Sequence, residues 1–346
     1  MSDDDPRAAS TGGWATSTAQ HMLEMEDLAV EFNTDYGDVH AVNGISYTLD
    51  PGETLAILGE SGSGKTVSAL AMMGLIEKPG RISSGEIRFQ GTNLLDLPEE
   101  DRRDIRGDKI SMIFQDALSA LNPVFSVGDQ IAEMFRVHRG MKKKEAMGRA
   151  VDLMERVRIP SARERVHDYP HQFSGGMRQR VMIAMGIALD PDILIADEPS
   201  TALDVTVQAQ IMELLIALQQ ETKMGLILIT HDLGVVAEVA DKVCVMYAGQ
   251  IVEKGSVGDI YTRPAHPYTE RLIHSIPRVD RKGDRLDPIK GSPPNLLNIP
   301  SGCPFHPRCP RARFPICSDE VPEQRMVALN RLSACHFAEE VLADGG

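Results

Sequence analysis

The sequence predicts an α/β fold on a parallel sheet, and three observations carry that prediction. Apolar runs of strand length, Thr54-Leu55-Ala56-Ile57-Leu58, Ile193-Leu194-Ile195-Ala196 and Leu226-Ile227-Leu228-Ile229-Thr230, alternate with segments of helical periodicity. That is the pattern of strands buried on both faces. A glycine-rich octapeptide, Gly59-Glu60-Ser61-Gly62-Ser63-Gly64-Lys65-Thr66, separates the first run from the helix-forming residues 67–73, so its glycines occupy a strand-to-helix turn. Twelve of the 21 prolines fall between Pro264 and Pro322, so the C-terminal part departs from the pattern and reads as a loop-rich extension.

Taken in order, residues 1–20 are rich in Ser, Thr, Gly and Asp without periodicity and are expected to be disordered. Residues 28–32 and 41–49 read as strands joined by the polar turn 33–38, with Pro51-Gly52 turning into the strand before the glycine loop. Residues 85–89 and 109–114 are further strands, the second ending at Gln115. Helical periodicity over 117–188, broken at Pro123, Pro160 and Pro170, marks a helical insertion. Its lysines 142–144 read as a solvated helix face. An amphipathic helix over 205–220 follows the second buried strand, and 243–247 is expected to pair with 250–253 across Ala248-Gly249.

Bulk properties narrow the function. A net charge of −14, from 36 basic and 50 acidic residues, opposes an electrostatic grip on nucleic acid. The longest apolar stretch near the middle, 181–189, is too short to span a bilayer, and the N-terminus lacks a signal-peptide layout; the expected location is cytoplasmic. Of five cysteines, Cys244 sits in a strand and reads as core, whereas Cys303, Cys309, Cys317 and Cys335 crowd one segment. In a reducing compartment that crowding favours metal ligation over disulfides. The spacing C-x5-C-x7-C-x17-C matches neither ferredoxins nor zinc ribbons and leaves the metal open; Arg308, Arg311, Arg313 and Arg331 are positioned in sequence to offset thiolate charge.

The glycine loop implies phosphate binding: backbone N–H groups of Gly59, Ser61, Gly62, Ser63 and Gly64 converge on phosphate oxygens, helped by the new helix's positive end. Lys65 would reach the outer phosphates and Thr66 ligate Mg²⁺. Asp197 ends a buried strand and is suited to hold Mg²⁺; Glu198 beside it suits a general base for water. Gln115 would touch metal and water, and His231 would donate to the γ-phosphate. Phe32 is the aromatic first expected to stack on an adenine, with Tyr36 second. Ser174-Gly175-Gly176, just before a helix, is a second anion-binding N-terminus, which suggests that it serves a nucleotide held by another subunit.

In this order, from Met22 to about Thr262, these motifs resemble the ATP-binding subunit of ATP-binding-cassette transporters, with Ser200-Thr201-Ala202-Leu203-Asp204 following the acidic pair. Phe173 and Met177 depart from the commoner Leu and Gln around Ser174 without removing the phosphate contact. Leu121-Asn122-Pro123, His266-Pro267-Tyr268-Thr269 and the run from Gly302 to Pro310 resemble the dipeptide/oligopeptide importer branch and its D-type ATPase. The resemblance implies a RecA-like nucleotide-binding domain over 21–262, with an antiparallel β subdomain, a helical subdomain at 116–188 and an extension at 263–346. It implies a [4Fe–4S] cluster on the four extension cysteines, zinc being the alternative. It further implies ATP and Mg²⁺, a head-to-tail heterodimer with an F-type ATPase meeting near Asp204, two membrane permease subunits and, indirectly, an extracytoplasmic solute-binding protein. The expected role is to power uptake of di- or oligopeptides, nickel or other small solutes at the cytoplasmic membrane face. A soluble cassette ATPase without a membrane partner is the rival class.

Overall fold

The computed structural model describes residues 21–201, 203–275 and 289–344; the expected N-terminal tail and Ala202 lie outside the described residues. Among the described residues, twelve strands make two sheets. In chain order they are β1 (Leu23–Thr34), β2 (Gly37–Leu49), β3 (Thr54–Leu58), β4 (Gly80–Phe89), β5 (Thr92–Asn93) and β6 (Ile110–Ile113). Then follow β7 (Ile193–Asp197), β8 (Gly225–Thr230), β9 (Lys242–Tyr247), β10 (Gln250–Ser256), β11 (Arg325–Ala328) and β12 (Arg331–Ser333).

The larger sheet has the order β11-β12-β10-β9-β3-β8-β7-β6, with β9, β3, β8, β7 and β6 parallel. Side-chain alternation divides each buried strand between two cores. Ile193, Ile195, Ile227 and Ile229 face the core shared with the smaller antiparallel sheet, β2-β1-β4-β5. Leu194, Ala196, Leu226 and Leu228 face the core shared with the helical insertion. The insertion is built around α1 (Val127–Arg139), α2 (Lys143–Arg156) and α3 (Gly175–Gly186). Ser126 starts the first by accepting from the Asp129 N–H, and Gly140 ends it in a left-handed turn.

Two sequence expectations change. The first hairpin is tighter than the polar turn suggested: Asn33 pairs with Asp38 and Thr34 with Gly37, leaving Asp35-Tyr36 as its tip. The extension is mainly loop through its proline-rich part, but β11 and β12 continue the main sheet, with Glu253 opposite Ser333. The strands form because the last proline, Pro322, precedes them, so every N–H beyond it can join the ladder.

Candidate active site

Four adjacent parallel strands, β6, β7, β8 and β3, end at one edge of the main sheet, and the polar residues predicted from sequence follow them: Gln115, Glu198, His231 and Gly59. The glycine loop is sterically obligatory. Gly59 has φ +156° and a Cβ there would lie 2.3 Å from the Met246 carbonyl oxygen; at Gly64, φ +101°, it would lie 2.3 Å from the Ala41 carbonyl oxygen. The helix Lys65–Met72 begins immediately after. Lys65 Nζ donates to the carbonyls of Gly59 at 2.8 Å and Glu60 at 3.0 Å. Burial pulls its pKa down, opposed by the negative charges of Glu198, Asp197 and Glu60.

Asp197 is buried at the end of β7. Burial pushes its carboxyl above the ordinary value and the neighbouring Glu198 adds to this, while a hydrogen bond from Thr66 and the charge of Lys65 oppose it. Asp197 Oδ1 and Ser63 Oγ are both buried without a protein hydrogen-bond partner, an unusual cost that a bound polar group would remove.

Glu198 has φ +45°, a strained conformation for a residue with a side chain. Its carboxylate is held from three sides. Oε2 accepts from Gln115 Nε2 at 2.8 Å and from Thr201 Oγ1 at 2.9 Å, and Oε1 lies 3.3 Å from His231 Nδ1. Glu198 is largely covered at 14% side-chain exposure, whereas His231 is 62% exposed. A carboxylate so oriented beside solvent and a phosphate cradle can take a proton from water. Thr201 was not assigned a role from sequence, although its place three residues after Glu198 is the available signal.

Ser174 caps α3, its Oγ accepting from the Met177 N–H at 3.4 Å. Gly175 and Gly176 pack toward Leu203 and Val207; a Cβ on Gly176 would lie 2.5 Å from Val207 Cγ1. Asp204 caps the helix Val205–Thr222 through the Val207 N–H. Ser174, Gly175 and Asp204 are exposed and Gly176 is half-buried, so the start of α3 and the start of the helix Val205–Thr222 lie side by side at the surface.

The two aromatic candidates differ in exposure. Phe32 pairs with Val39 and Gly80 within the sheet and packs against the core; a Cβ on Gly80 would lie 2.6 Å from its ring. Tyr36, at the hairpin tip, is 89% exposed.

The expected metal cluster is also corrected. Cys303, Cys309, Cys317 and Cys335 border a cavity of only about 20 Å³, but among the described residues no group of three or more His, Cys, Asp or Glu is disposed to hold a metal ion. In the metal-free chain burial also raises the Cys303 thiol and pushes Cys309 to about 11 and Cys335 to about 12, which favours the thiol over the thiolate there. The arginines that would have offset a cluster's charge are paired elsewhere: Arg308 with Glu60, Arg311 with Glu270 and Asp344, Arg313 with Glu340, and Arg331 with Glu253. The iron–sulfur and zinc readings are therefore withdrawn.

Comparison with known proteins agrees with the nucleotide geometry. The ABC transporter family model matches residues 42–201, and that of the oligopeptide/dipeptide transporter C-terminal region matches 252–317. The chain is 50% identical over 334 residues to the oligopeptide transport ATP-binding protein OppD of Salmonella typhimurium, covering 96% of this chain and 99% of that protein. It is 50% identical over 322 residues to the dipeptide transport ATP-binding protein DppD of Bacillus subtilis, covering 93% and 96%. Among solved structures, the dimeric ATP-binding cassette MJ0796 in a post-hydrolysis state with ADP and phosphate superposes with a TM-score of 0.62 at 26% identity, covering 68% of this chain and 99% of that one. Because the relatives align over nearly their whole length at 50% identity, the chain belongs to the ABC transporter ATPases, among the oligopeptide and dipeptide ATP-binding subunits.

Proposed function

We propose that this ATPase powers peptide import as one of two ATPase subunits that close head-to-tail around ATP at the cytoplasmic face of a membrane, docked on two permease subunits and served by an extracytoplasmic binding protein. The observation that carries the catalytic reading is Glu198, held by Gln115, Thr201 and His231 at the mouth of the phosphate loop. Glu198 takes the proton of the attacking water, and His231 orients that carboxylate and donates toward the γ-phosphate. Lys65 leaves its loop carbonyls to meet the phosphates, while Tyr36 offers its exposed ring to the adenine. Thr66, Asp197 and Gln115 would hold Mg²⁺, a fit supported by the orphaned, buried Asp197 Oδ1; when bound, the ion neutralises phosphate charge.

Pairing is supported by the exposure of Ser174, Gly175 and Asp204, an anion-binding helix start left open at the surface. Each subunit would complete its neighbour's site with Ser174, Gly175 and Gly176, and an F-type ATPase is the proposed second subunit. Membrane docking is supported by an apolar groove of about 300 Å³ where the helical insertion meets the main sheet, lined by Met112, Phe114, Leu121, Met134 and Met185. Among the described residues no helix is long and apolar enough to cross a membrane, so the permease would supply the pore.

The test is Glu198→Gln. Turnover by the assembled transporter is expected to fall by about 10²–10⁴-fold, the usual contribution of a general base, with ATP affinity retained. Normal steady-state hydrolysis would overturn the assignment.

A further inference from the structure

The extension's proline-rich part reaches the phosphate loop itself. Glu60, the second residue of that loop, is held by three residues. Its carbonyl accepts from Lys65 Nζ at 3.0 Å. Its N–H donates to Tyr268 Oη at 3.0 Å. Its carboxylate receives both ends of the Arg308 guanidinium, Nη1 to Oε2 at 2.6 Å and Nη2 to Oε1 at 3.0 Å. Two of the three anchors come from beyond residue 263, and Arg308 lies 248 residues from Glu60.

Arg308 is itself rigidly mounted. Only 6% of its side chain is exposed. Its Nε donates to the Lys290 carbonyl at 3.0 Å and its Nη2 to the Gly291 carbonyl at 3.2 Å. Its guanidinium lies 5.8 Å from the Tyr247 ring centre. The neighbouring Phe305 ring packs edge-on against Tyr247 and Tyr268, each at 5.3 Å. A desolvated bidentate pair between such supports fixes position as well as charge, because both N–H···O bonds are lost together if either partner moves. Lys65 must give up its bond to the Glu60 carbonyl when it turns to a phosphate; Tyr268 and Arg308 then remain as the anchors that keep Glu60, and the loop with it, in place.

We propose that Arg308 is a positioning residue for ATP binding: through Glu60 it holds the phosphate loop in its receptive shape, making the C-terminal extension part of the nucleotide site. The inference rests on the reading of residues 59–66 as the ATP cradle.

The experiment is equilibrium titration of full-length chain with Mg·ATP, beside steady-state KM and kcat in the assembled transporter. Arg308→Met is expected to weaken ATP binding and raise KM by about tenfold, with kcat at saturating ATP unchanged. Glu60→Gln, which leaves the extension intact, is expected to do the same and gives the reading if Arg308→Met fails to fold. The double variant is expected to be no worse than either single, since one pair is lost in all three. A purely structural Arg308 would lower Tm and leave ATP affinity alone; affinity within twofold of wild type in both singles, or additive losses in the double, would overturn the proposal. Lys65→Ala separates the two readings. Loss of binding there with normal binding in Arg308→Met and Glu60→Gln refutes this inference alone, whereas normal binding in Lys65→Ala refutes the cradle reading and this one with it.

Discussion

The nucleotide edge of the main sheet and the C-terminal extension hold comparable concentrations of reactive side chains, yet the fold treats them oppositely. At the strand ends it leaves chemistry unsatisfied: Asp197 Oδ1 and Ser63 Oγ are buried without protein partners, and Glu198 sits at φ +45°. In the extension it satisfies charge in cis. Arg308, Arg311, Arg313 and Arg331 each meet a carboxylate, and burial pushes the Cys309 and Cys335 thiols toward the protonated form. The difference lies in charge: His266 Nε2, Thr269 Oγ1 and Arg331 Nε of the extension are also buried without a partner, but its cations already face carboxylates, whereas the unpartnered carboxylate oxygen lies at the nucleotide edge.

The sharpest way to break that contrast is to remove a partner in the extension. Glu253 on β10 is fully buried and pairs with Arg331 at 2.8 Å, also accepting from the N–H groups of Ala265 and His266. Arg331→Met is expected to cost about 3–5 kcal/mol, because a buried carboxylate is left without its cation. Burial already holds the Glu253 pKa above its ordinary value against the pull of Arg331. A group raised in this way favours the folded state while protonated and loses that contribution as pH rises through its folded pKa. The cost of Arg331→Met should therefore grow with pH and shrink in acid, and denaturant unfolding at several pH values reads it; a cost independent of pH would place the loss in packing alone.

Thiol reactivity tests the same side of the comparison. With its pKa near 11, Cys309 should react with iodoacetamide about 10²-fold more slowly than an ordinary cysteine at neutral pH, accelerating as pH approaches that value. Rapid labelling at neutral pH would mean that a positive charge stabilises the thiolate and that the scaffold reading is wrong.

The smallest expected effect belongs to the nucleotide edge. Because burial penalises the charged form of Asp197, Asp197→Asn should raise the Tm of the nucleotide-free chain by about 2–4 °C while impairing hydrolysis. The gap in Tm should close as pH falls through the raised Asp197 pKa, where the wild-type carboxyl also becomes neutral. A lower Tm in the variant would show that the carboxylate is better solvated than its burial indicates.

Much of the site was legible because its parts are local. The phosphate loop, Asp197-Glu198, Ser174-Gly175-Gly176 and His231 each lie at a strand or helix end, and the apolar runs before them predict where those ends fall. Which of the two aromatics is exposed was not legible, since Phe32 and Tyr36 are four residues apart; hairpin register, which seats Phe32 between Val39 and Gly80, separates them. The thiols misled for a related reason. Spacing along the chain reports how many cysteines can meet but not whether cations will face them, and the candidate arginines point to carboxylates.

By itself, then, the sequence determined the alternation of strands and helices, the obligatory glycines and the polar residues that follow the strand ends, because each depends on neighbours within a few residues. Tertiary structure alone decided that β11 and β12 extend the main sheet and that Tyr36 rather than Phe32 is exposed. It also decided that burial raises the Cys303, Cys309 and Cys335 thiols and that Arg308 reaches Glu60 across 248 residues. The physical reason is that burial and ion pairing are properties of surroundings assembled from distant segments, and no local pattern encodes the dielectric or the partner that a side chain will meet.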